Sequence, residues 1–344
     1  MADDLSVPPL PAGTDTRVFP VPAAIEDQQD VAKAEKALER VKVVAVAVDD
    51  ERGRAVVLTK NQISASTKKI LPEYLEGVPV EYIGHAGIEP NPPVLPQAAV
   101  DAAERLFVHN DRIACGSSLS AASVWGAGTL GALVTLGDGT LCGLTNNHVT
   151  GACNHTRVGM HILSPAPFDA DPDHRAPTAI GRHHSFVALA SGDPRQVQLQ
   201  ELDVALFDLT NPDLVTSMQG SGLYDTPEDV ADPIGGMAVK KVGRTTGLTY
   251  GEIIGRFSTP LGIPYTADRF KSTVYFQNSW AIRATDGGPF SMGGDSGSLV
   301  VTGDGAHAVG LIFAGATDGS ISYMIPIRSV LRGLGASLLR GHNV

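Results

Sequence analysis

Residues 294–301 read Gly294-Asp295-Ser296-Gly297-Ser298-Leu299-Val300-Val301. A serine set between glycines sits where the backbone can bend sharply and aim successive N–H groups at one point, and the apolar run behind it reads as a buried strand. Glycine-flanked serines also occur in ordinary turns. The stretch gains chemical meaning when a general base and an orienting carboxylate lie elsewhere in the chain in compatible settings.

Both are present upstream. His148 closes Thr145-Asn146-Asn147-His148, directly after Thr140-Leu141-Cys142-Gly143-Leu144, which reads as a buried strand. Asp203 opens the alternating stretch Asp203-Val204-Ala205-Leu206-Phe207. A serine hydroxyl is a weak nucleophile at neutral pH, so an imidazole must take its proton, and a carboxylate must hold that imidazole in the correct tautomer. Each residue also has a structural reading: a histidine after a strand is often a satisfied structural group, and an aspartate at a strand start is often a cap. Asp208 rivals Asp203, but it precedes Leu209-Thr210-Asn211-Pro212, a turn sequence.

Taken together, the three segments resemble the trypsin/chymotrypsin superfamily of serine peptidases. Thr-Asn-Asn-His148 is similar to that family's Thr-Ala-Ala-His, Asp203-Val-Ala-Leu to its Asp-Ile-Ala-Leu, and Gly294-Asp-Ser296-Gly to its Gly-Asp-Ser-Gly. They follow in the family's order, His then Asp then Ser, at separations of 55 and 93 residues. The Gly243-Arg244-Thr245-Thr246-Gly247-Leu248-Thr249 stretch further resembles a subset, the intracellular bacterial trypsin-like proteins and the plant narrow-leaf-type proteases. The same subset is similar at Gly128–Val134, Thr145–Val149 and Phe290–Ala314. The glycines around Arg244 do not make a phosphate cradle, since no Gly-Lys-Ser/Thr and no strand-to-helix step accompanies them, so the stretch reads as a hairpin opening the second barrel.

The resemblance implies a mainly β fold of two antiparallel β-barrels, with His148, Asp203 and Ser296 as catalytic residues in the cleft between them. It implies an oxyanion hole made by the backbone N–H groups of Gly294 and Ser296. It maps a substrate pocket onto Phe290, Phe313, Ala314 and Gly315; because Phe290 is not an acid, small or apolar side chains are expected there rather than Lys or Arg. Phe313 departs from the family pattern, in which a serine commonly supports the catalytic aspartate. Asp295 is expected to find an internal partner, since no activation cleavage site is evident ahead of the first barrel.

Organisation along the chain fits this outline. Residues 1–25 carry Pro8, Pro9, Pro11, Pro20 and Pro22 and read as a flexible tail. Residues 26–88 read as a small α/β accessory domain: a helix over Glu26–Arg40, strands over Val43–Val48, Ala55–Thr59 and Val78–Ile83, and a turn at Gly53. Residues 89–109 read as a Pro-rich linker followed by a short helix over Ala98–Phe107, and residues 110–344 as the peptidase domain. With 38 glycines and 23 prolines, the chain has the punctuation that many short strands need.

A formal net charge of −11 argues against a general nucleic-acid binder, which needs a basic surface. No apolar run is long enough to span a bilayer as a helix. Met1-Ala2-Asp3-Asp4 lacks the blocks of a signal peptide, and the cysteines (Cys115, Cys142, Cys153) are few and odd in number, so reduced thiols in a cytoplasmic protein are expected. Cys142 and Cys153 bracket His148, where secreted relatives often carry a disulfide, but the second cysteine is displaced from that family position.

Between His148 and Asp203, the alternation Asp169, Asp171, Asp173 invites a calcium reading. His174 stands where that loop requires glycine and Ile180 where it requires glutamate, so a solvated polar loop and no metal are expected. The reading is therefore a cofactor-free serine endopeptidase acting on protein or peptide substrates, with self-association into a homo-oligomer compatible with it. The alternatives are a catalytically silent trypsin-fold scaffold that binds a protein partner, or an esterase using the same triad.

Overall fold

A computed structural model gives the fold and describes residues 36–75, 77–84, 88–89, 105–170, 176–190 and 199–344. The tail over 1–25, residues 26–35 of the expected first helix, residues 90–104 of the linker, and Asp171, Asp173 and His174 lie outside the described residues.

Six antiparallel strands close a barrel in the order Ala238–Gly243, Leu299–Thr302, Ala308–Ala316, Ser322–Pro326, Trp280–Ala284 and Gly247–Phe257, the last pairing back to the first. The expected hairpin at Gly243–Gly247 is one of its corners, with Ala238↔Glu252 through Gly243↔Gly247 in register. Ala308–Ala316 is buried along its whole length, which matches a sequence without a single polar side chain. Val239, Ile253, Ile282, Phe290, Val300, Ile312 and Met324 fill one part of this core.

The second sheet runs Ala336–Leu338, Ala132–Leu136, Leu141–Thr145, Ala205–Leu209, Thr178–Phe186, His161–Ser164, Ser118–Ala121 and Gly128–Thr129, and curls into a half-barrel. Its centre is Phe207, and two glycines make room for that ring. A Cβ at Gly143 would lie 2.1 Å from Phe207 Cζ, and one at Gly181 2.5 Å from Phe207 Cδ2. Helix Ile327–Leu334 ends on Gly335 in the left-handed region and hands the chain from the closed barrel back to the half-barrel, where Ala336–Leu338 pairs with Ala132–Leu136.

The strands of the N-terminal extension continue the closed barrel's sheet. Val43–Asp49 pairs with Gly247–Phe257 through Ala47↔Phe257 and Val48↔Arg256; Arg54–Thr59 and Val78–Gly84 follow outward. Ala45, Ala47, Val56 and Leu58 share one hydrophobic cluster with Ile254, Phe257, Phe313 and Tyr323. Ion pairs Arg52–Glu252 (2.5 Å) and Arg283–Glu81 (2.5 Å) tie the extension and barrel at the rim. Strands this apolar expose too much surface to stand alone, and the barrel wall supplies their partner. Of the expected first helix, residues 36–41 are helical, and residues 105–107 at the end of the expected linker helix are not α-helical.

Candidate active site

Three loops converge where the sheets meet. Strand Leu141–Thr145 delivers Asn146 and then a single π-helical turn, Asn147–Gly151, which carries His148. Strand Ala205–Leu209 starts just after Asp203, a fully buried carboxylate. His148 Nδ1 and Asp203 Oδ2 lie 2.5 Å apart, and the His148 backbone N–H donates to Asp203 Oδ1 at 3.2 Å. Asn146 Nδ2 donates to the Asp203 carbonyl at 2.5 Å, fixing that residue's backbone as well. The rival Asp208 is half-exposed and pairs with His184 at 2.8 Å.

A third group joins Asp203 that the sequence did not reveal. Tyr265, on the hairpin Leu261–Ala267 with Phe270–Phe276, donates from Oη to Asp203 Oδ2 at 2.8 Å, and its ring lies 5.5 Å from the His148 ring. Burial, followed by the Asp203 charge, raises the Tyr265 phenol well above its usual range, so it stays a donor. The donor comes from an element 62 residues further along the chain than the carboxylate it binds. No local motif marks Tyr265, and no element is expected from the sequence over residues 261–276.

The serine turn is clamped from below. Gly294 has φ +98°, and a Cβ there would sit 2.4 Å from Arg244 Nη1 and 2.5 Å from Thr245 Oγ1. Asp295 Oδ1 accepts the N–H groups of Thr245 (2.8 Å) and Thr246 (3.2 Å); its Oδ2 accepts Thr246 Oγ1 (2.8 Å) and the Met292 N–H (2.8 Å). Lys241 Nζ stands 3.7 Å away, both groups wholly buried, so Asp295 has an internal cationic partner. Burial lowers the Lys241 pKa while Asp295 opposes that shift. The Gly-Arg-Thr-Thr-Gly hairpin thus holds the Asp295 carboxylate and, through Thr245 Oγ1 to the Gly293 carbonyl (2.6 Å), the loop ahead of Ser296.

Arg244 itself is buried on Asp169, with Nε to Oδ2 at 2.6 Å and Nη2 to Oδ1; Ser118 Oγ (2.5 Å) and Arg105 Nη1 (2.8 Å) complete the carboxylate's partners. Burial alone would push the Asp169 carboxyl up, but Arg244, Ser118 and Arg105 outweigh it and hold it below the usual carboxylate range. The expectation of a solvated loop is corrected here: Asp169 is the anionic half of a buried pair joining the two sheets. Among the described residues no cluster of His, Cys, Asp and Glu has metal-binding geometry.

Thr129 knits the two sheets at the turn. Its N–H donates to the Ser296 carbonyl (2.8 Å), its hydroxyl donates to the Gly294 carbonyl (2.8 Å), and it accepts the Arg244 N–H (3.1 Å). Neither the Gly294 N–H nor the Ser296 N–H is taken up by a hydrogen bond among the described residues. His148 Nε2 and Ser296 Oγ are likewise buried and without a hydrogen-bond partner, and both residues line one cavity of about 930 Å³. Val124, Trp125 and Met160 are among its apolar lining residues, and Arg157, Asp268 and Arg269 among its charged ones.

Of the four residues mapped to a substrate pocket, none lines this cavity. Phe290 is wholly buried in the closed barrel's core, and Phe313 packs on Phe276 with centroids 4.8 Å apart. Ala314 and Gly315 lie on the buried strand Ala308–Ala316. All three cysteines are free and buried, and burial pushes each thiol up to about 12, so none is a reactive thiolate at neutral pH.

No protein-family model and no curated protein matches the chain. Solved structures similar to it include protease A of Thermobifida fusca (21% identity, TM-score 0.44, 66% of this chain and 100% of that one). The Nocardiopsis protease is 19% identical with a TM-score of 0.43 over 65% of this chain and 97% of that one. The Cellulomonas bogoriensis chymotrypsin is 18% identical with a TM-score of 0.41 over the same shares, 65% and 97%. At such identities and TM-scores these likenesses bear on neither the reaction nor the residues that would perform it.

Proposed function

We propose that the chain is a serine endopeptidase of the trypsin/chymotrypsin type, working through an acyl-enzyme with His148, Asp203 and Ser296. The observation that carries this reading is a pair of atoms without a hydrogen-bond partner among the described residues, His148 Nε2 and Ser296 Oγ, on two residues that line one cavity, while Asp203 fixes the other ring nitrogen. A carboxylate bound to Nδ1–H leaves Nε2 as the acceptor, which is the tautomer a general base needs. The catalytic hydrogen bond between such groups commonly tightens only when substrate is bound.

In this mechanism Ser296 Oγ attacks the peptide carbonyl carbon as its proton passes to His148 Nε2. The tetrahedral oxyanion is held by the N–H groups of Gly294 and Ser296, which have no competing acceptor. Collapse breaks the C–N bond, and His148 returns the proton to the departing amine. A water then repeats the sequence on the ester, its proton going to His148 and finally to Ser296 Oγ. Asp203 orients the ring and stabilises the imidazolium, with Tyr265 and Asn146 holding Asp203 in position. The three protonated, buried thiols fit a reducing compartment, and we assign the chain to the cytoplasm on that basis.

A fluorophosphonate probe tests the reading. Labelling of the native chain that disappears in Ser296→Ala is the expected result; a native chain that takes no label across pH 6–9 would overturn the enzyme reading. Digestion of a peptide library then separates peptidase from esterase.

A further inference from the structure

Strand Ala308–Ala316 has two unequal edges. On one side Ser322–Pro326 pairs with it from Gly310 to Gly315. On the other, Leu299–Thr302 pairs only from Ala308 to Leu311, because the chain ahead of Leu299 leaves the sheet to form the serine turn. The Gly297 N–H to Ile312 carbonyl (2.9 Å) and Ile312 N–H to Ser298 carbonyl (3.0 Å) bonds are the last on that side before the strand runs on past the turn. Beyond them, the same edge is taken by the chain's own Ile88–Glu89, antiparallel, with Gly315↔Glu89 and Ala316↔Ile88. This two-residue strand also lies against Leu261–Ala267, the hairpin strand that carries Tyr265.

We propose that the 88–89 segment is a built-in competitor for the edge on which a peptide substrate must lie, an inference that rests on the peptidase reading of Ser296. An extended peptide binds a free strand edge by main-chain hydrogen bonds. Gly315 is three residues from Ile312, about 10 Å at 3.3 Å per residue, so a peptide paired at Gly315–Ala316 and running toward Ile312 carries its next residues to the serine turn. The segment has this polarity: from Ile88 to Glu89 the chain moves from Ala316 to Gly315. It is therefore aligned as the part of a substrate that precedes the bond to be cut. A tethered competitor of this kind acts at an effective concentration in the millimolar range, enough to hold off weak peptides while yielding to long or tightly bound ones.

Binding reads the edge independently of the chemistry. A fluorescein-labelled peptide with the sequence of residues 84–94 is titrated against Ser296→Ala protein and against the same protein carrying Ile88→Pro or Glu89→Pro, whose missing N–H and fixed φ weaken a two-residue ladder. The proline variants are expected to bind the peptide about tenfold more tightly than the parent. Equal or weaker binding by folded variants overturns the proposal. An Ile88→Cys, Ala316→Cys pair serves as the second arm: oxidation is expected to abolish peptide binding and dithiothreitol to restore it, whereas unchanged binding on oxidation also overturns it. Fluorophosphonate labelling of Ser296 in the otherwise native chain is scored separately. Tighter binding without labelling keeps the competitor strand and removes the peptidase, so the two failures remain distinct.

Discussion

Tyr265 and Asp203 share a 2.8 Å hydrogen bond, with both side chains withdrawn from solvent, and the carboxylate oxygen that receives the phenol is the one lying 2.5 Å from His148 Nδ1. A donor from the separate two-stranded hairpin Leu261–Ala267 with Phe270–Phe276 thus steadies a carboxylate next to a strand of the half-barrel. Tyr265→Phe keeps the ring and removes only the donor. A hydrogen bond to a charged group contributes about 1.5–3 kcal/mol, so kcat is expected to fall roughly 10- to 100-fold with KM little changed. A variant whose loss lies in KM alone would show that Tyr265 shapes the cavity without positioning Asp203.

Gly294 leaves no space for a side chain: its φ is +98° and Arg244 Nη1 would be 2.4 Å from a Cβ. Gly294→Ala is expected to rotate the peptide whose N–H would hold the oxyanion in the proposed mechanism. Loss of one such donor costs roughly 10²–10³ in kcat. Steady-state kinetics together with far-UV circular dichroism would separate this local effect from unfolding; full activity in a folded Gly294→Ala protein would show that the turn absorbs the Cβ without rotating this peptide.

The Arg244–Asp169 pair is buried and multiply bonded. Removing one partner leaves the other charge stranded, at a cost of about 3–5 kcal/mol. Asp169→Ala and Arg244→Met should each destabilise by that amount in denaturant titrations. The double variant should lose clearly less than the sum, because neither charge is then left alone. Additive losses would mean that Arg105 and Ser118, rather than the pair itself, carry the coupling.

His183 is buried, and neither ring nitrogen has a hydrogen-bond partner among the described residues. Burial first, and then the His184 charge, lowers its pKa from the ordinary 6.5 to about 4. As pH falls, the unfolded chain takes up this proton first. Stability is therefore full above pH 6.5 and lost between 6.5 and 4, on the order of 3 kcal/mol in all. Urea midpoints measured from pH 7 to pH 4 should fall for the native chain and fall less for His183→Leu; parallel curves would assign the acid sensitivity to other groups.

The sequence by itself determined the local chemistry. The glycines around Ser296, the alternation after Asp203 and the strand before His148 are short-range patterns, and each residue stands where its own segment's period and turn chemistry placed it. The same logic made the Gly243–Gly247 hairpin and the strands of the extension legible. Tertiary structure decided everything that depends on segments meeting. It brought Tyr265 to Asp203 across 62 residues and Arg244 to Asp169 across 75, and it folded Phe290 and Phe313 into the core instead of the cavity wall. It merged the extension's strands into the barrel sheet and laid Ile88–Glu89 along the edge beyond the serine turn. Buried hydrogen bonds and free strand edges must find partners wherever the fold delivers them, and no periodicity within one segment records which distant segment arrives.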